Sequence, residues 1–550
     1  MEKRRIDFVT VSPLLLIALL PVGASIHSYF TTSAAHPEVA FFKYFAIPLI
    51  GFSLGSIIFL GVVRNDWNMP HECLSFIEKH LGKIILAISI TFFICFSALA
   101  VLRYTSLHTS VFDMGLYDKK IWQISVAPLV DIPYKITFGH FQPILIFYSL
   151  IYKIIDSPVI IQVLQAAVMT SGVIPLYLMA KQHLNNAGLT FLVAIVYLLY
   201  PSVGFNASLD FHPDHLYVSL TMWAFYFAEK DKYFFAILFV SVGAMAKEPL
   251  ILGASFFGLY IALAKKQHRI GMTAFVFFLL LFFTVVYIIL PSANQLPTFA
   301  ESYGENTNAF NMKSLMNILL MAKVRKSLFI YFLLAPLLFL PLLDWKRFLP
   351  AAPLIVIPLL STTYLHSALD SQYTAGIIAP AFVASIFSLK KLKGYFSMEY
   401  VNAVAVLVVV MTLTFHIAHG PSPLSINFWK SGWAEIWHKS NYTSGEHEEV
   451  IKEAIYKIPG GKDIVILSQG NVNHSRLAHR YNNKYLFPDS LEDVDYILFD
   501  TNRPLMMAAQ VDEQTYLNLL GGIRNSPEFY VEFERDGVVL FKRVEKESSD

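Results

Sequence analysis

The chain has 550 residues; 55% are hydrophobic and only 15% charged, with 46 Phe, 28 Tyr and a formal net charge of +2. Soluble domains are roughly a quarter charged, so this balance, with a mean hydropathy of +0.52, excludes an ordinary soluble enzyme and points to an integral membrane protein. The absence of a basic tract argues against a nucleic-acid partner, and two cysteines, Cys73 and Cys95, are too few for a disulfide framework.

Apolar runs place spans near 8–30, 39–63, 82–102, 158–180, 187–203, 214–229, 232–247, 249–264, 270–290, 327–343, 348–365, 374–390 and 399–418. That gives about thirteen helices on the criterion of about 20 apolar residues per crossing. The first run follows Lys3, Arg4 and Arg5 as a signal peptide would, but it is long and lacks a small-residue cleavage site, so it reads as an uncleaved helix. Lys and Arg fall in alternate loops: Arg64/Lys79/Lys83, Lys181, Lys230/Lys232, Lys265/Lys266/Arg269, Lys346/Arg347 and Lys390/Lys391/Lys393. The loops around 204–214 and 366–373 carry none. The positive-inside rule then predicts a multi-pass cell-membrane protein with a cytoplasmic N-terminus and an extracytoplasmic C-terminus.

Two external loops are long, 103–157 and 291–326. Within the first, 117–124 and 144–155 are amphipathic or apolar pieces too short to span, which predicts helices lying along the interface. The alternative makes 143–156 part of a re-entrant hairpin. After Gly420-Pro421-Ser422-Pro423 the composition turns polar. Strands are expected at 464–467 and 496–499, helices at 446–458 and 514–520, and a hairpin around Asp536-Gly537. The predicted fold class is thus mainly α: a polytopic helical membrane protein with a small C-terminal extracytoplasmic α/β domain. The predicted division is a two-helix extension at 1–80, a transmembrane module at 81–420 and a soluble domain at 440–550.

The predicted external loops hold the candidate functional groups, and ionisable residues beside hydrocarbon are functional hypotheses by default. Asp113 reads either as a helix N-cap or as a general base or metal ligand. His140 precedes Gln142-Pro143 at the start of the second surface helix. Asp210-Phe211-His212-Pro213-Asp214-His215 is the densest cluster and offers nitrogen and oxygen donors suited to a divalent metal or to proton transfer. The competing reading is a turn in which Pro213 starts the next helix. The candidate metal ligands are Asp113, His140, Asp210 and His212, with Mg or Mn the cation such donors suit. Lys247 and Glu248, before Pro249, either neutralise each other or a buried carboxylate such as Asp210 or Asp214, or leave Lys247 to bind a phosphate as a point charge. Glu301, Tyr303 and Glu305, and the group His366, Asp370, Gln372 and Tyr373, are further external polar residues.

These motifs carry a family resemblance over about 80–550. Phe112-Asp113 through Asp118 and Trp122 resemble the "FDxGxxDQxxW" opening of the prokaryotic membrane family DUF2079. His140-Phe141-Gln142-Pro143 is similar to its "HFSP", Leu164-Gln165-Ala166 with Pro175-Leu176-Tyr177 to its "LQA…PLY", and Tyr200-Pro201 with Asp210-Phe211-His212-Pro213 to its "YP…DFHPE". Lys247-Glu248 is similar to its "KED", and the likeness continues through Ser475-Arg476, Phe487-Pro488 and Asp495-Tyr496. Lys119 stands where the family often has Gln, and Asp214 where it often has Glu. The architecture resembles the GT-C class of membrane glycosyltransferases, which implies sugar transfer from a polyprenyl-phosphate carrier to a glycan, lipid or protein acceptor outside the membrane, as an inverting reaction. It implies Asp113, His140 and Asp210 as catalytic groups and His212, Asp214, His215, Lys247 and Glu248 as substrate-binding ones. The rival readings are a lipid or polysaccharide transporter or flippase, and a non-catalytic envelope assembly protein.

Overall fold

The computed structural model describes residues 46–64, 71–293, 323–461, 463–468, 482–485, 491–502 and 513–544, less positions 110, 138, 362–363, 369 and 432–434. The expected span at 8–30, and Glu301, Tyr303 and Glu305, lie outside these.

The helices used below are α1 (Ile47–Val63), α2 (His71–Thr105), α3 (Leu116–Val126), α4 (Leu145–Tyr152), α5 (Pro158–Leu184), α6 (Ala187–Leu199), α7 (Pro201–Ser208), α8 (His215–Glu229), α9 (Tyr233–Ala244), α10 (Glu248–Ala264), α11 (His268–Ser292), α12 (Lys323–Leu334), α13 (Ala352–Leu360), α14 (Ala375–Tyr395) and α15 (Met398–His419). Five helical stretches among the described residues are long and apolar enough to cross a bilayer: Ser75–Thr105, Pro158–Leu184, His268–Ser292, Gln372–Tyr395 and Met398–His419. With α1, α9 and α10 as shorter apolar helices, this is a multi-pass membrane protein, since backbone in hydrocarbon must satisfy its own hydrogen bonds.

Two expectations need correction. The loop placed at 204–214 begins only after Ser208, because Pro201 starts a new helix, α7, bent 48° from α6, every residue of which is buried. The runs 327–343 and 348–365 form a pair bent by 83° between Arg325–Leu337 and Leu340–Leu360, interrupted by 3-10 turns. Pro336, Pro341, Pro350 and Pro353 sit along this stretch, and each removes a helix donor and clashes with the preceding turn.

Two short helices form within the stretches 117–124 and 144–155. Tyr117, Asp118, Ile121 and Ile124 give α3 one buried face, and Leu145, Tyr148, Ser149 and Tyr152 do so for α4. Tyr152 Oη donates to Asp118 Oδ1 at 2.8 Å, which clamps the two together. Ile146, Phe147 and Leu150 of α4 face outward; outward apolar residues suit a helix lying against lipid. Helix α10 packs backbone to backbone on α11. A Cβ on Gly258 would stand 2.5 Å from Phe275 N and 2.7 Å from Gly271 O, so only glycine allows this approach.

The C-terminal segment builds helices α16 (Glu446–Lys457) and α17 (Glu513–Arg524) on a five-stranded sheet. Its strands are β1 (Val465–Ser468), β2 (Asn482–Tyr485), β3 (Tyr496–Asp500), β4 (Phe529–Arg535) and β5 (Val538–Arg543), in the order β2-β1-β3-β5-β4. The strands β2, β1 and β3 are parallel, while β5 is antiparallel to β3 and β4. The β4–β5 turn puts Asp536 and Gly537 at φ 46° and 75°, the left-handed pair that a tight hairpin turn requires. Strand β2 had no expected counterpart.

Replacing Gly258 with Ala should cost about 1–3 kcal/mol through overpacking against backbone that cannot move aside. A lowered midpoint of thermal unfolding in detergent would register it, and an unchanged midpoint would show that α10 and α11 can separate freely.

Candidate functional site

Three helices begin at one end of the bundle. The first residues of α8, α10 and α14 are His215, Glu248 and Ala375, and none of the preceding residues Asp214, Lys247 and Thr374 caps its helix with a side chain. Their N-terminal N–H groups and dipoles therefore present partial positive charge there. The opposite ends carry a separate network. Glu229 accepts from Tyr260 Oη at 2.8 Å, Arg347 Nε at 3.0 Å and Lys265 Nζ at 3.3 Å, and Asp344 pairs with Lys391 at 2.9 Å.

Between the three starts lies a cleft of about 620 Å³, open solvent included. Its lining combines the polar His140, Asp214, Lys247, Glu248, His366 and Tyr373 with the apolar Leu250, Leu354, Ile357 and Pro358. The cleft is amphipathic because α10 contributes both its charged first residues and its apolar first turn.

Lys247 and Glu248 make no direct ion pair with each other. Glu248 Oε1 accepts from His140 Nδ1 at 2.8 Å and Oε2 from Phe141 N at 3.2 Å, pinning the 139–142 loop to α10. Lys247 is 4% exposed and forms no ion pair among the described residues; its Nζ lies 4.8 Å from the Tyr373 ring centroid. Asp214 is also buried, with Oδ2 lacking a hydrogen-bond partner. The charges of Asp214 and Glu248 act on the Lys247 ammonium without contacting it, and a buried ammonium that lacks a direct carboxylate contact is costly unless its N–H groups serve a ligand. His366 completes the wall as a neutral imidazole: burial, then the charges of Lys247 and His140, depress it to about 4.

A second group adjoins the cleft. Asp113 is not an N-cap; it lies in a helical turn, Val111–Gly115, and its Oδ1 meets His212 Nε2 at 3.0 Å. The other nitrogen, His212 Nδ1, faces the Asp210 carbonyl at 2.8 Å. Two acceptors on one imidazole call for a proton on each nitrogen, so His212 is held as a cation against the Asp113 carboxylate. Burial alone would depress His212, but the charge and hydrogen bond of Asp113 outweigh it and raise the imidazole above its ordinary value. Burial would likewise raise Asp113; His212 outweighs that too, helped by Lys247 and Arg103, and lowers it. The Asp113 side chain is still 42% exposed, so it can be reached. The carboxylate of Asp210 turns to Arg103, Nη2 to Oδ1 at 3.6 Å. Gln165 fixes the segment by accepting from His212 N at 3.1 Å and donating to Leu209 O at 2.7 Å.

His215 belongs to neither group. It is 1% exposed, bonded to the His212 carbonyl and, through Nε2, to Tyr148 Oη at 2.8 Å, which makes it a support under the loop and not a wall of the cleft. The proposed metal ligands do not assemble. Among the described residues no three His, Cys, Asp or Glu side chains gather as a cation would require. Asp113, His140, Asp210 and His212 are already engaged with His212, Glu248, Arg103 and Asp113 respectively. A divalent ion does not fit this donor set as it is paired.

Sequence reasoning missed Arg103, an ordinary span-ending basic residue, and gave Gln165, quoted only as a motif residue, no role at the site. It also missed Lys120, whose Nζ donates to Gln142 Oε1 at 2.8 Å, while Gln142 Nε2 donates to Tyr117 Oη at 2.9 Å. Burial pulls the Lys120 ammonium down to about 7, against the opposing charge of Glu248. Position was a signal for two of them: Lys120 lies between Asp118 and Trp122, and Gln165 inside the Leu164-Gln165-Ala166 motif, whereas Arg103 stands nine residues before Phe112.

Membrane-crossing helices around a polar, half-open cleft define a multi-pass membrane protein with a site at one end of its bundle. The family model for DUF2079, described as a predicted membrane protein, matches residues 103–540, and the chain belongs to that family. Among solved structures, the chain is similar to ArnT from Cupriavidus metallidurans. The apo form gives a TM-score of 0.47 and 12% identity over 85% of this chain and 98% of that one. The form bound to undecaprenyl phosphate gives 0.46 and 11% over 84% and 98%. No curated protein matches the chain in sequence.

The raised His212 and lowered Asp113 fix a pH window. The pair stabilises the fold fully between about pH 4 and 6.5, the ordinary values of the two groups. That contribution fades as pH rises through the raised His212 value, and again as pH falls through the lowered Asp113 value. Thermal unfolding of wild type and His212→Gln across pH should therefore show their stability gap widest in that window. A gap that grows with alkaline pH would contradict the imidazolium assignment.

Proposed function

We propose that the protein transfers a glycosyl group from a polyprenyl-phosphate carrier to an acceptor hydroxyl on the extracytoplasmic side of the membrane. The observation that carries this reading is the cleft, which is lined by a buried ammonium in no ion-pair contact, by the starts of three helices and by apolar side chains. A lipid phosphodiester has that pattern: one negative charge for Lys247 and the N–H groups, and an isoprenoid chain for the Leu250, Leu354, Ile357 and Pro358 side.

In this scheme the acceptor oxygen attacks the anomeric carbon. The bond from that carbon to the phosphate oxygen breaks, and the carrier phosphate leaves with the bonding pair. Lys247 stabilises the charge gathering on that phosphate. Asp113 receives the acceptor proton, and the direct displacement inverts the anomeric centre. His212 holds Asp113 ionised and fixes its orientation, and Gln165 holds His212. The His140–Glu248 pair shapes the polar wall, and the buried Asp214 carboxylate receives sugar hydroxyls. The gathering of these groups at one end of the bundle favours surface chemistry over transport, since transporter sites lie near the bilayer midplane.

Binding of a polyprenyl phosphate to the protein in lipid nanodiscs tests the donor side: Lys247→Met should weaken it by about tenfold or more, whereas undiminished affinity would remove the phosphate from this cleft. On the chemical side, Asp113→Asn should bind the carrier as wild type does yet abolish sugar transfer from polyprenyl-phosphate donors. Full activity in that variant would sink the assignment of Asp113.

A further inference from the structure

The segment joining α2 to Asp113 is built into the C-terminal domain. Leu107 is 7% exposed and packs in a core cluster with Val450, Ile451, Ile455, Leu498 and Leu540, all from the domain. Its φ is 65°, a left-handed conformation that a leucine keeps only where its surroundings over-determine it. Both neighbours are tied down as well. Ser106 Oγ donates to Asn441 O at 3.0 Å, and His108 Nε2 lies 3.6 Å from Glu448 Oε1. Glu448 is itself locked at the head of α16, where Oε2 accepts from Gly445 N at 2.7 Å.

The same segment faces the site. Arg103 Nε donates to His108 O at 3.1 Å, closing the loop, while its Nη2 reaches Asp210. Its guanidinium lies 5.6 Å from the ring centroid of Trp437, in the connector leading to the domain. Trp437 is 1% exposed, packs on Phe205, and points Nε1 at Asp370 Oδ2, 3.4 Å away, two positions before the cleft residue Gln372. The domain thus grips both sides of the site's outer end: through Leu107 the loop that carries Asp113, and through Trp437 the Arg103–Asp210 pair.

We propose that the C-terminal domain positions Asp113, with Leu107 as the buried peg by which it holds that loop in register with His212. The inference rests on reading the Asp113–His212 pair as part of the working site. Leu107 is a positioning residue: it touches no substrate and acts through the backbone that leads to Asp113.

Hydrogen–deuterium exchange of the full chain in nanodiscs tests this without any substrate. Leu107→Ala and Leu107→Asn should each speed exchange in 111–118 by about tenfold or more, leaving β3 and β5 protected. Asparagine tolerates the left-handed backbone but supplies no apolar side chain, so it separates burial from strain; Leu107→Met should restore protection. Should the Leu107 variants not fold, His108→Gln leaves the domain core intact and is expected to loosen 111–118 to a smaller degree. Exchange at 111–118 that stays at the wild-type rate, in folded Leu107 variants or in His108→Gln, overturns the proposal and makes Leu107 an ordinary core residue. Loss of phosphate binding in the cleft has no bearing on this result, so the two readings fail separately.

Discussion

Every charge that this chain brings to the mouth of its helices must be compensated there, because an ion beside hydrocarbon loses most of its hydration. That constraint organises the site. Asp113 answers to His212, Asp210 to Arg103 and Glu248 to His140, and each pair joins residues far apart in sequence. The pairs are therefore also the ties that set the register of α2, the surface loop, α8 and α10. Lys247 and Asp214 make no direct ion pair among the described residues, and both line the cleft.

Helix direction reinforces this arrangement. The helices α8, α10 and α14 all start at the cleft, and their far ends run into the Glu229–Arg347–Lys265 and Asp344–Lys391 network. Positive dipole ends thus meet at the site, and the basic side chains gather at the negative ends, where they are favoured. The bundle is braced by ions at both ends and by close packing between, tightest where Gly258 and Gly271 let α10 and α11 touch.

The C-terminal α/β segment is a continuation of this site and not an appendage. The Leu107 segment lies in the core of the C-terminal domain, and Trp437 lies on Arg103. A loop fixed at both ends samples fewer conformations than a free one. That is the physical requirement for a carboxylate that must meet a reacting atom, since misplacement by an ångström is costly in rate.

Much of the fold could be read along the chain because its signals are local. Apolar run length marked α5, α6, α8 to α11, α14 and α15, the amphipathic pieces marked α3 and α4, and Asp536-Gly537 marked the hairpin. The clusters around Asp113, His140, Asp210 and Lys247 were legible for the same reason: a charge in an apolar neighbourhood stands out one residue at a time. The partners were not. Nothing in Glu248 says that its imidazole is 108 positions away, or in Arg103 that it meets Asp210. His215 looked like a ligand until packing turned it to Tyr148, and Asp113 looked like a cap until His212 met it. Local pattern fixes which segments are helices and where the costly groups fall. Which acid meets which base, and which ammonium is left for a ligand, depends on helix crossings in space, and only the tertiary structure decides it.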